Sequence, residues 1–195
     1  MQEQSTVERH PFEPFLPEGA VVLFLGSFPP QPKRWCMEFY YPNWLNDFWR
    51  VCGLVFYGNR DHFVVPGQKR FDVDRIRRFC REKGIALFDT AVAVRRLRDN
   101  ASDRFLEVVE PTDLDALLSR IPACRTIVTT GQKATDVLVD RYGGKEPGVG
   151  ESESLVIGNR RLRFFRMPST SRAYPLALDK KADAYRILFQ AAGLL

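Results

Sequence analysis

The chain has 195 residues, 45% of them hydrophobic, and Lys plus Arg number 29 against 24 for Asp plus Glu, giving a formal charge of +5. This length fits one domain, or one domain with an arm, and this composition suits a globular protein with a proper core. No stretch reaches the roughly 18 apolar residues of a membrane helix, and the N-terminus MQEQSTVERHPFEPFLPEG is polar and then proline-broken, without the apolar centre of a signal peptide.

In chain order, residues 1–19 read as an arm packed on the body through Phe12, Phe15 and Leu16, and residues 20–195 as a single domain. Residues 20–25 (AVVLFL) form an apolar run ending at Gly26, the pattern of a buried strand. Residues 72–83 read as a helix with an acidic start and Gly84 as its stop, followed by a strand over residues 85–88 (IALF). Residues 112–121 read as a second helix, capped by Thr112 and closed by Pro122, before a strand over residues 126–130 (TIVTT). Residues 143–153 are expected to form a mobile loop. Residues 155–157 and 162–165 flank Gly158 and Asn159, a hairpin-type turn, and a last helix spans residues 179–192. Strands that alternate with helices predict a mostly parallel sheet with helices on both faces. Ligands of such sheets bind beyond the carboxyl ends of the strands. Four exits meet there: residues 26–30, Asp89 with Thr90, Gly131, and residues 167–174.

Each exit has a chemical and a bland reading. Gly26 permits a close approach of ligand or backbone, while Pro29 and Pro30 stiffen what is equally a plain rigid turn. The last exit sets Ser169, Thr170, Ser171 and Arg172 side by side, which suits a phosphate backbone or a solvated loop whose hydroxyls cap their own turns. Residues 39–49 hold six aromatic side chains. Such rings stack on a displaced base, worth roughly 1–3 kcal/mol each, or fill the core, as expected for Phe48 and Trp49. Asn43 and Asn46 follow among them, and an amide that donates and accepts can orient water or read a base edge. Asp89 either pairs with Arg95 or Arg96 or accepts the N–H of a base. There is no Walker loop and no G-x-G-x-x-G.

The positive excess suits a polyanion without requiring one. Cys36, Cys52, Cys80 and Cys124 are scattered without a C-x-x-C pair, so free buried thiols are expected rather than disulfides. No metal and no cofactor are expected, since His10 and His62 alone could join the thiols as zinc ligands. A cytoplasmic monomer completes the expectation.

Taken together, these motifs resemble the uracil-DNA glycosylase superfamily, and within it the hypoxanthine-DNA-glycosylase-type branch. The matching residues are 26–30 for a Gly-Ser-x-Pro-Gly-like loop; Tyr40, Tyr41, Asn46, Phe48 and Trp49 for a tyrosine-rich stretch ending in Asn-x-Phe-Trp; and residues 85–89 for an Ile-Ala-Leu-Trp-Asp strand. Residues 131–134 match a Gly-x-x-Ala strand exit, and residues 168–171 a Pro-Ser-x-Ser loop, so that the resemblance covers residues 20–192. It implies an α/β three-layer sandwich around a central four-stranded, mostly parallel sheet. It also implies a DNA glycosylase of base excision repair that flips a deaminated base from the stack and hydrolyses its N-glycosidic bond.

By the same resemblance Asn46 positions the attacking water, Phe28 or Tyr41 stacks on the base, and Asp89 contacts it. Ser27, Ser169, Ser171 and Arg172 would hold phosphates, and Tyr174, apart from the resemblance, is read as a wedge that fills the hole left by the flipped base. Three positions depart from the family pattern, one of them Arg172, which stands where a proline or a small residue is usual. Phe28 stands where many members have Asp or Asn, and Met167 where many have His or Asn. The cysteines lack the spacing of the iron–sulfur members. Hypoxanthine is favoured over uracil because Asp89 accepts from N–H groups. Two other readings stay open: a binder of damaged or single-stranded nucleic acid that kept the pocket without the chemistry, and a site for a small nucleotide-like ligand.

Overall fold

The elements run β1 (Val7–Arg9), β2 (Val22–Gly26), α1 (Phe48–Tyr57), α2 (Val73–Lys83), β3 (Ile85–Asp89), β4 (Ala91–Arg96), β5 (Leu106–Pro111), α3 (Leu114–Ser119), β6 (Thr126–Thr130), α4 (Gln132–Tyr142), β7 (Glu151–Ile157), β8 (Arg160–Met167) and α5 (Leu178–Ala191). The structure is a computed structural model that describes residues 6–97 and 105–195. Every residue of β2 and β3 is buried, as a strand covered on both faces of a parallel sheet must be.

The main sheet has the order β3-β2-β6-β8-β7. The first four strands are parallel, and β7 runs antiparallel to β8. The expected four-stranded sheet thus gains a fifth strand at one edge. The cause is the hairpin at Gly158, whose φ of 57° a glycine adopts without strain. Strand β7 begins at Glu151, so the loop expected over residues 143–153 ends sooner.

Handedness distributes the helices. The chain moves one way across the sheet from β2 to β3, carrying α1 and α2, and the other way from β3 to β6 and from β6 to β8, carrying α3 and α4. Right-handed crossovers therefore put the two sets on opposite faces. Helix α5 returns to the first face, where Phe24 of β2 meets Phe48 of α1 and Phe189 of α5 at ring-centroid distances of 5.3 and 5.8 Å. This is the expected three-layer α/β sandwich.

A second, antiparallel sheet of order β1-β4-β5 was not visible in the sequence. Its cross-strand pairs are charged: Arg95 with Glu107 at 2.8 Å, and Arg96 with Glu8 at 2.9 Å. The arm therefore contributes a strand, and Phe15 bridges to Leu87 of β3. Capping differs at α3, where Asp113 accepts from Ala116 N at 3.1 Å and Thr112 donates instead to the carbonyl of Asp89 at 2.7 Å. Asp72 and Gly84 bound α2 as the sequence indicates. All four cysteines are free, three of them buried, and burial pushes their thiols up. Among the described residues no helix is long and apolar enough to cross a membrane, and no group of three or more His, Cys, Asp or Glu side chains could hold a metal.

One buried ion pair ties the two halves of the sandwich edge together. Lys181 of α5, 1% exposed, donates to Asp47 Oδ2 at 2.9 Å and to the carbonyl of Ser171 at 3.0 Å. Asp47 N in turn donates to the carbonyl of Thr170 at 2.9 Å. Removing one partner leaves the other charge buried and uncompensated. Lys181→Met is therefore expected to lose about 3–5 kcal/mol of unfolding free energy in urea, and Asp47→Leu with Lys181→Met to recover most of it. A single variant as stable as the wild type would show that the pair contributes nothing.

Candidate active site

A cleft of about 860 Å³ opens at the carboxyl ends of the parallel strands, within the usual range for ligand sites. All four exits line it: residues 26–30, Asp89, Thr130 with Gly131, and residues 169–175. The turn ahead of α1 forms a further wall with Tyr41, Asn43, Leu45 and Asn46.

Asp89 ends β3 on the cleft floor and is 7% exposed. A Cβ at Gly26 would lie 2.4 Å from Asp89 Oδ1, so the neighbouring strand approaches the carboxylate only because glycine has none. The expected partner, Arg95 or Arg96, is corrected. Arg95 faces Glu107, whereas Arg96 holds Glu8 and the carbonyl of Pro29. Asp89 Oδ2 instead meets His10 Nε2 at 2.8 Å. No local signal marks this contact, because the two residues are 79 positions apart and the arm carries no periodic pattern.

Asn46 lies on the wall in a stiff turn. Its Oδ1 accepts from Phe48 N at 2.9 Å, and its N–H donates to the carbonyl of Asn43. Asn43 Oδ1 accepts from Leu45 N at 2.9 Å. Arg50 donates to the carbonyls of Trp44 and Asn46 while its guanidinium lies 4.3 Å from the Trp44 ring centroid. An amide oxygen has two lone pairs, so Asn46 Oδ1 keeps one acceptor site for water.

Tyr41 is the single non-glycine residue with positive φ, 53°, among the described residues. Such a conformation costs about 1–3 kcal/mol and persists only where the surroundings impose it. Here the ring stacks on Phe48 at 3.8 Å, and its hydroxyl bonds Thr130 Oγ1 at 3.1 Å. Burial pushes the phenol well above its ordinary value. One ring face is therefore covered by Phe48, and Tyr41 lines the cleft. Phe28 is 8% exposed and packs with Ala91, Val94 and Leu106 of the second sheet, edge-on to His10 at 5.3 Å. Phe28 nonetheless lines the cleft, as Tyr41 does. Met167 is 1% exposed in the main core and does not line the cleft. Phe48 and Trp49 are core residues, as expected.

The phosphate candidates lie around the mouth. Ser169 Oγ accepts from Ser171 N, and Ser171 Oγ accepts from Ala173 N, both at 3.2 Å. These hydroxyls cap their own turn, yet each retains a hydrogen to donate. Ser27 is half-buried beside them. Arg172 is exposed, and so is Arg34 across the cleft, with half-buried Lys133 at the start of α4. None of these three cations has an acidic partner among the described residues. Arg34 and Lys133 were not singled out from the sequence; only their position in the fold marks them. Tyr174 also reaches the cleft.

The fold has a counterpart among solved structures. A protein from Methanosarcina acetivorans, whose solution NMR structure is described as that of a "putative Uracil DNA glycosylase", is 22% identical, with a TM-score of 0.66 over 96% of this chain and 99% of that one. No protein-family model and no curated protein matches the chain. The likeness establishes the fold.

The contact between Gly26 and Asp89 is open to a direct check. Gly26→Ala must displace the carboxylate or the strand and is expected to lose about 1–3 kcal/mol of stability in urea denaturation. Wild-type stability in that variant would mean that the approach is looser than described.

Proposed function

We propose, from a chain with the uracil-DNA glycosylase fold, that the protein is a DNA glycosylase for a deaminated base flipped from the duplex. The observation that carries the reading is the layout of the cleft. An amide and a carboxylate stand inside it, and three cations without acidic partners stand at its mouth. A flipped nucleotide has that polarity, with its backbone anionic and its base neutral.

Asn46 Oδ1 accepts a hydrogen from water through its second lone pair and holds the oxygen facing the sugar. The water oxygen then bonds to C1′ as the C1′–N bond breaks, and the bonding electrons leave with the base. The water yields a proton to solvent, and the base takes one up. Tyr41, on the cleft wall, stacks on the base, and Asp89 Oδ1 accepts an N–H from its edge. Arg34, Lys133, Arg172 and the serines clamp the phosphates. Hypoxanthine suits this edge better than uracil, because Asp89 offers only an acceptor whereas uracil presents two acceptors around its one donor. Phe28 and Met167 do not weaken the reading, since both serve packing.

A binder without chemistry is favoured by one observation, the bond that Asn46 Oδ1 already accepts from Phe48. Base release separates the two. Oligonucleotides carrying uracil, hypoxanthine, xanthine or mismatched thymine, single- and double-stranded, are incubated with the protein and then treated with alkali. Strand cleavage at one lesion is expected, with Asn46→Ala slowing it about 100-fold and leaving binding nearly unchanged. Binding without cleavage on every substrate would sink the glycosylase reading. In the same binding assay, Lys133→Ala and Arg172→Ala are each expected to lower the slope of log K against log salt by about one. An unaltered slope would remove that residue from the phosphate clamp.

A further inference from the structure

The arm places one imidazole behind the cleft. His10 follows β1, its side chain 3% exposed. The rings of Phe12, Phe28, Tyr40 and Phe88 box it in, with centroids at 6.0, 5.3, 6.1 and 4.7 Å. Its Nδ1 lies 2.9 Å from the carbonyl oxygen and 3.1 Å from the nitrogen of Phe12, so that atom has a backbone partner in either tautomer. The remaining nitrogen, Nε2, meets Asp89 Oδ2 at 2.8 Å. His10 stays off the cleft wall, and Asp89 stands on it. An apolar side chain would fill such a box without bringing polar atoms that need partners. Packing therefore does not account for an imidazole aimed at a site carboxylate.

We propose that His10 is a positioning residue that fixes Asp89 as an acceptor and so makes the cleft select a base with a ring N–H; this rests on the base-excision reading above. With Asp89 ionised, Nε2 carries its hydrogen and donates it to Oδ2. That bond sets the plane of the carboxylate and leaves Oδ1, pressed against Gly26, for the ligand. Deamination changes one ring nitrogen of the base. In adenine N1 and cytosine N3 it is an acceptor; in hypoxanthine and uracil it carries a hydrogen. A fixed carboxylate oxygen gains a hydrogen bond from the deaminated ring nitrogen and meets a lone pair on the parent one. An unfixed carboxylate could turn away and lose that contrast. The hydrogen bond from His10 also draws charge from Asp89, which reduces its opposition to negative charge on the departing base.

Free bases test this apart from catalysis. The full-length protein is titrated calorimetrically with 9-methylhypoxanthine and its N1-methylated partner 1,9-dimethylhypoxanthine, and with 1-methyluracil and its N3-methylated partner 1,3-dimethyluracil, so that the glycosidic nitrogen is blocked throughout and the added methyl group replaces the one ring hydrogen in each pair. The wild type is expected to prefer the member that keeps its ring hydrogen in at least one pair by about ten-fold. His10→Leu is expected to lose that preference while keeping its affinity for the member that lacks it. His10→Gln, whose amide can donate to Asp89, is expected to retain most of it. Glu8→Ala, which loosens the same arm without touching Asp89, is expected to behave as the wild type does. His10→Phe, which fills the ring box, carries the test should His10→Leu fail to fold. An unaltered preference in His10→Leu, equal loss for both members of a pair, or no preference in the wild type would each overturn the inference. A preference that follows His10 in a protein that releases no base would leave the inference standing and remove the glycosylase reading instead.

Discussion

The candidate site depends on a charge pair that no ligand touches. Asp47 precedes α1 and Lys181 lies in α5, and their buried bond holds the turn bearing Asn46 against the loop bearing Ser169, Ser171 and Arg172. Parallel strands bring their exits to one edge, but strands do not fix the distance between two long loops. Here a lysine with its charge almost wholly buried does so, satisfied by one carboxylate and one backbone carbonyl. Desolvating such a pair offsets most of its Coulomb attraction, so its contribution lies in geometry more than in net stability. Two loops joined this way can present an amide and a hydroxyl row in fixed relation.

The apolar side chains of Phe28 and Met167 at two strand exits have a common physical explanation. Phe28 lines the cleft at the first exit and packs against the second sheet, while Met167 ends β8 inside the main core. Polar side chains at those two places would need buried partners that the packing does not supply. The polar groups on the cleft wall therefore come from other residues, Asn46 and Asp89 among them.

What the sequence made legible follows from how local each signal is. Strands β2, β3 and β6 announce themselves as apolar runs because both faces are covered, and Asp72 caps its helix within three residues. Strands β4 and β5 stayed hidden because their cross-strand partners are charged and alternate with small apolar residues, a pattern that reads equally as a solvated loop. Helix α1 was read for its aromatic rings rather than its period, since Phe48, Trp49, Val51, Cys52 and Val55 are all buried and leave little polar contrast. Thr112 looked like a cap, but the side chain one residue later has the reach, and the threonine hydroxyl found the carbonyl of Asp89 instead. His10 was beyond local reading altogether. Its role exists only once an arm strand pairs with β4 and delivers the ring to a carboxylate across the fold.

Charge placement then limits what the cleft accepts. Several cations elsewhere are paired with acids: Arg9 with Glu110, Arg95 with Glu107, Arg96 with Glu8 and Arg166 with Glu146. At the mouth Arg34, Lys133 and Arg172 have no acidic partner among the described residues, although Asp136 shares the rim. Unpaired cations on a concave rim draw anions from solution. The floor has the opposite sign, because Asp89 stands there, buried and directed inward. An anion attracted to the rim therefore meets rising repulsion as it descends, and a free phosphate gains nothing by entering. A nucleotide within a strand resolves the conflict: its phosphates stay at the rim, and its uncharged base, with a hydrogen to donate, is the part that reaches the floor. The same sign change weighs against a small phosphorylated ligand seated wholly inside, and it orients any nucleic acid before a single base is read.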